Sequence, residues 1–287
     1  MPHHLAFGPA QRGFTAGAFC WLLFLVGYGA GTAIPGAATL PSSTHRFVVI
    51  AHRGDHEHAH ENTLTAIRAA ARVGADYVEV DVRQTRDGHL VLMHDATVDR
   101  MTDGSGRVAE LDLDAIRRLR VTDETRPELA PDRVPTFDEA LSAMKGRIHL
   151  YLDFKAGERT AVVAALRRHE MMGNVVVYDD VANLPRWREV APGLPLMTSL
   201  PDEAREPASA RAFLTAGSLA VLDGPVTDYT APLVAAVSEA GARVWPDIQG
   251  PWEGPDLWAR AVALGIGGLQ TDRPSDLVQW LDHEGLR

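Results

Sequence analysis

The chain has 287 residues, 46% of them hydrophobic and 23% charged, with a formal net charge of −10 and one cysteine. That balance is globular and excludes a disordered chain. The acidic excess argues against a nucleic-acid binder, which would carry a basic stripe, and a single cysteine excludes a disulfide framework.

No charged residue separates Arg12 from Arg46, and the run 16–27 inside that gap is apolar. A positive start, an apolar stretch and small residues after it predict a secretory signal over residues 1–38. An uncleaved membrane tether through residues 14–33 is the alternative, since a span needs about 20 apolar residues. Either reading exports the domain over residues 39–287 to a periplasmic or extracellular space.

From residue 47 onward, short β-rich runs alternate with amphipathic helical patterns. Strands are expected at 47–51, 77–82, 148–154, 175–178, 196–200, 219–222, 243–248 and 268–271. Helices are expected at 63–73, 137–144, 158–172, 181–190, 208–216, 230–240, 256–264 and 275–284. Strand then helix, eight times over, predicts a parallel α/β structure, a TIM-type (β/α)8 barrel. Arg86-Asp87-Gly88 followed by Leu90-Val91-Leu92-Met93 predicts a hairpin, opening a short insertion after the second strand. The segment 96–135 is short and polar. No Gly-x-Gly-x-x-Gly follows the first strand, so a dinucleotide site is disfavoured.

The chemistry-bearing residues fall at strand ends, where a barrel keeps its working groups. Glu79 and Asp81 are two apart on one strand, so both point to the same face. Two carboxylates in a barrel interior repel unless a cation joins them. They therefore predict one divalent cation on oxygen ligands, Mg²⁺ or Ca²⁺. Arg53 suits a phosphate through paired hydrogen bonds, with an ion pair to Glu61 or Asp81 as its structural alternative. Lys155 adds positive charge nearby. Trp245 either walls an alcohol pocket or packs in the core. His56, His58 and His60 alternate in one loop and could hold a transition metal, which leaves a zinc hydrolase using His56 and His58 as a rival.

The order of motifs resembles the glycerophosphodiester phosphodiesterases: His52-Arg53-Gly54, Glu61-Asn62-Thr63, Glu79-Val80-Asp81, Asp87-Gly88, His94-Asp95, Asp153-Phe154-Lys155 and Gln270-Thr271-Asp272-Arg273-Pro274. The resemblance implies His52 and His94 as the proton-transfer pair, and Glu61 and Asn62 lining the site at the start of the first helix. It makes Asp153 the third metal carboxylate, where family members more often carry glutamate. It implies metal-dependent hydrolysis of a small-molecule phosphodiester to glycerol phosphate and an alcohol. A phospholipase acting on intact lipid and an anchored binding protein are the rivals. The former would need an apolar rim, the latter the loss of a histidine.

Overall fold

A computed structural model describes residues 38–287; the expected leader or tether at 14–33 lies outside the described residues. Eight parallel strands form the wall. They are β1 (Val48–Ala51), β2 (Tyr77–Gln84), β4 (His149–Phe154), β5 (Val175–Tyr178), β6 (Leu196–Ser199), β7 (Val221–Asp223), β8 (Arg243–Val244) and β9 (Gly268–Thr271). A short β3 (Leu90–Leu92) pairs antiparallel with β2, Val82 opposite Leu92, as the hairpin reading expected. The parallel order runs β8-β7-β6-β5-β4-β2-β1-β9.

The ring closes between β8 and β9 without a regular ladder. Pro246 has no N–H to give, so the expected strand 243–248 keeps ladder geometry only at Arg243–Val244. Its continuation still links both neighbours. Gln270 N donates to Pro246 O at 3.1 Å, and Ile248 N donates to Gln270 O at 3.1 Å.

Helices cover the outside: α1 (Leu64–Val73), α3 (Phe137–Met144), α4 (Arg159–Arg168), α5 (Leu184–Val190), α6 (Pro207–Gly217), α7 (Ala231–Glu239), α8 (Pro255–Ala263) and α9 (Pro274–His283). One further helix, α2 (Leu113–Arg118), lies in the insertion and was not expected there. Alternation along each strand sorts side chains into two cores. Val78, Val80 and Val82 face the helices, whereas Ile50, Tyr77, Tyr151, Val176, Met197 and Trp245 fill the barrel interior. The insertion has a small core of its own, in which Val98, Met101, Val108, Ile116, Val121 and Val134 pack on Val91 and Met93 of the hairpin. Its polar composition is thus an outer face over an apolar inner one.

The far end of the barrel is closed by the chain leading into β1. Leu40 packs on the interior cluster, Tyr77 Oη donates to Pro41 O at 3.2 Å, and Ser43 Oγ donates to Asp76 at 2.7 Å.

Candidate active site

The turn after β1 is built by backbone conformation. Arg53 has φ of 53° and Gly54 of 89°, both left-handed. A side chain at Gly54 would meet Ala66 Cβ at 2.6 Å, so helix α1 lies directly against the turn. The turn aims Arg53 N at Glu79 Oε2, 2.7 Å away. Three consecutive residues then fix the region. Glu61 takes Arg53 Nη1 on both oxygens at 3.1 Å. Asn62, at φ of 56°, donates to Asp81 Oδ2 at 2.7 Å and accepts from Asp81 N at 3.1 Å. Thr63 caps α1, accepting from Ala66 N.

Glu79, Asp81 and Asp153 converge inside the mouth, with donor oxygens all within 4.8 Å of one another. Glu79 and Asp81 are 2% and 1% exposed. Burial, then repulsion from Asp81 and Asp153, pushes the Glu79 carboxyl well above its ordinary range. Burial and Asp81 likewise raise Asp153, against the opposing pull of Lys155. Lys155 Nζ sits 2.8 Å from Asp153 and 3.2 Å from Asp81. Burial works against its charge, yet those two carboxylates outweigh burial and raise its pKa. A buried, all-oxygen set carrying this much strain fits a hard divalent cation. The group of residues expected to hold one is therefore assembled.

Both histidines are tied the same way. His52 Nδ1 pairs with Asp272 Oδ1 at 2.7 Å, and His94 Nδ1 with Asp95 Oδ1 at 2.7 Å. Both rings line a cavity of about 180 Å³ together with the three carboxylates, Arg53 and Lys155. Asp272 is half-buried, which works against its charge, but bonds from His52 and His56 overcome that and hold its carboxyl far below the usual range. Asp95 falls to about 2, chiefly through its bond from Arg100 and then from His94. Arg100 also reaches Glu61 at 2.8 Å, so one guanidinium joins the two halves of the rim.

Three expectations change. Trp245 is 2% exposed and packs at a tilt against Tyr77 in the barrel interior, ring centroids 4.9 Å apart; it is absent from the cavity lining. It belongs to the interior cluster just after β8, and Asp247, two residues on, is the one that reaches the mouth. Glu61 is committed to Arg53 and Arg100 and does not line the cavity; it aims the arginine. His56, His58 and His60 do not converge. His56 lies 3.1 Å from Asp272, His58 is exposed and His60 is buried.

The opposite wall was not anticipated. Tyr151, Tyr178, Asp223, Asp247, Gln249 and Gln270 complete the lining. Tyr151 Oη donates to Asp223 at 2.7 Å, and burial with Asp247 nearby drives the Asp223 carboxyl well above its normal range. The signal was available: Tyr151 precedes Asp153 by two and so shares its face. Asp272 was visible only as a motif letter, because the fold brings its partners His52 and His56 to it, whereas Asp95 stands next to its partner His94 in sequence.

Comparison with known proteins agrees with this geometry. Residues 52–276 match the model of the glycerophosphoryl diester phosphodiesterase family. The glycerophosphodiester phosphodiesterase of Caldanaerobacter subterraneus subsp. tengcongensis is 29% identical over 242 residues, 80% of this chain and 96% of that protein. Mouse glycerophosphodiester phosphodiesterase 1 is 44% identical over 125 residues, 42% of this chain, and the match spans only 38% of the mouse protein. The crystal structure of a glycerophosphodiester phosphodiesterase from Agrobacterium tumefaciens superposes with a TM-score of 0.72 at 25% identity, covering 81% of this chain and 99% of that one. With residues 52–276 matched to the family model, the chain belongs to the glycerophosphoryl diester phosphodiesterase family.

Proposed function

We propose that this protein hydrolyses glycerophosphodiesters, the deacylated skeletons of phospholipids, to glycerol phosphate and an alcohol. One observation carries the reading: two imidazoles, each bound to a carboxylate through Nδ1, line the same small cavity as a buried carboxylate triad. A ring whose Nδ1–H donates to an aspartate presents Nε2 as its free basic atom. One histidine then takes the proton of the attacking hydroxyl or water, and the other returns a proton to the leaving alkoxide. Asp272 and Asp95 set ring orientation and keep the N–H on Nδ1. Arg53 and Lys155, both paired with Asp81, offset the phosphate charge. Glu79, Asp81 and Asp153 would hold Mg²⁺ or Ca²⁺, which would supply Lewis acidity against charge building on the phosphoryl group.

The cavity is small and its lining polar throughout, which favours a water-soluble diester over an intact lipid. A panel of glycerophosphodiesters, with products identified and with or without chelator, tests this. Glycerol phosphate and free alcohol, lost on chelation, are expected. Undiminished turnover in chelator, or cleavage of intact phospholipid alone, would overturn the assignment. The charge-free apolar run supports export as the setting. N-terminal sequencing of material exported by a native-type host should then find a start between residues 32 and 43.

A further inference from the structure

Beside the carboxylate triad stands a second group of metal-ligating atoms of different chemistry. His52 Nδ1 and His56 Nε2 lie 2.7 Å and 3.1 Å from one oxygen, Asp272 Oδ1, and all three donors fall within 4.8 Å of one another. Their side chains are 20%, 23% and 30% exposed, so an ion in solvent reaches them. Two imidazoles and a carboxylate suit zinc-like ions, whereas the all-oxygen triad suits Mg²⁺ or Ca²⁺. In a tetrahedral site with Zn–N near 2.0–2.1 Å, neighbouring donors stand about 3.3 Å apart. The two short separations need to open by only a few tenths of an ångström.

The frame around the three is firm. Asp272 N donates to Glu253 Oε2 at 3.1 Å, and buried Glu253 is itself bound by Thr271 Oγ1 and Trp258 Nε1. On the other side Arg126, from the insertion, donates to the carbonyls of His56 and Glu57.

We propose that His52, His56 and Asp272 form an inhibitory transition-metal site, taken most readily by Zn²⁺. Coordination uses the Nδ1 lone pair, so the proton that His52 shared with Asp272 leaves Nδ1 and the neutral ring carries its N–H at Nε2. Nε2 then has no lone pair with which to accept a proton, and the ring is held by the ion instead of by its bond to Asp272. This second step rests on the reading that His52 moves protons.

Calorimetric titration with Zn²⁺, in saturating Mg²⁺ to occupy the triad, tests the site directly. One Zn²⁺ per chain is expected. His56→Gln and Asp272→Asn should each weaken it by about tenfold or more, while His58→Ala, exposed and outside the group, should leave it unchanged. Turnover of the wild type should fall in step with zinc occupancy, and His56→Gln should keep its turnover at the same zinc concentration. Zinc affinity unaltered by His56→Gln would overturn the site. Zinc bound there without loss of turnover would overturn its inhibitory role. Should His52→Ala retain turnover, the proton-transfer reading falls instead, and the calorimetry still decides where zinc binds.

Discussion

His52 and His94 reach the same cavity from different elements, one from a turn after β1 and one from the end of a hairpin. Each is partly exposed, at 20% and 35% of the side chain. Truncating either removes a positioned proton carrier without emptying a core. His52→Ala and His94→Ala should each lower turnover by about 10²–10⁴-fold with an unchanged melting temperature. Near-native turnover in either variant would remove that histidine from the mechanism. Asp95 makes a separate, pH-readable contribution. Its carboxyl titrates at about 2 when folded, against an ordinary 3.8. A depressed folded value stabilises the protein fully above the ordinary value, and that stability is lost as pH falls through the folded one. The melting-temperature gap between wild type and Asp95→Asn should therefore narrow as pH drops from about 4 to about 2.

At the scale of an element, the turn from β1 into α1 does most to organise the site. Gly54 touches α1 where a Cβ would stand 2.6 Å from Ala66 Cβ and 2.8 Å from its backbone carbon, at a φ of 89°. Gly54→Ala should cost about 1–3 kcal/mol and also lower kcat, because the same turn aims Arg53 N at Glu79. Denaturant melts together with kinetics would separate the two effects; unaltered kinetics would mean that the turn does not position Arg53. This stretch was also the most legible in sequence, since its residues act on near neighbours: Glu61 on Arg53, and Thr63 on its own helix. The opposite wall was not legible. Asp223 and Asp247 gain meaning only from β7 and β8 lying across from β4, and the Pro246 break disguised where the eighth strand ends. Helix α2 escaped for a related reason. It is only six residues long, and its apolar face matches a hairpin that sequence spacing does not reveal.

For the molecule as a whole, the triad couples metal, proton and fold. The Glu79 carboxyl is raised in the folded state, so the metal-free protein holds a proton there that the unfolded chain releases. Stability of the metal-free form should accordingly decline as pH rises from about 4.5 through that raised value. The gain in melting temperature on adding Mg²⁺ or Ca²⁺ should grow over the same interval. Asp153→Asn, with one charge fewer against Glu79, should weaken metal binding and turnover while flattening the pH slope of the metal-free protein. Thermal melts across a metal and pH grid check both; wild-type metal affinity in Asp153→Asn would remove strand β4 from the ligand set. The parallel α/β class was readable from alternation, because parallel neighbours need a crossover connection, usually a helix; the barrel was preferred to an open sheet because working residues sit at the ends of several strands. The detail of its closure was not readable, because that depends on bonds around one proline.

The strap at residues 40–43 gives the barrel a polarity of orientation. It crosses the floor, bonded to Tyr77 and Asp76, while every catalytic candidate opens at the other end. Floor and mouth are therefore separate parts of one vessel. In a chain trimmed to Arg46 the base would leak while the lip kept its shape, costing durability and sparing chemistry.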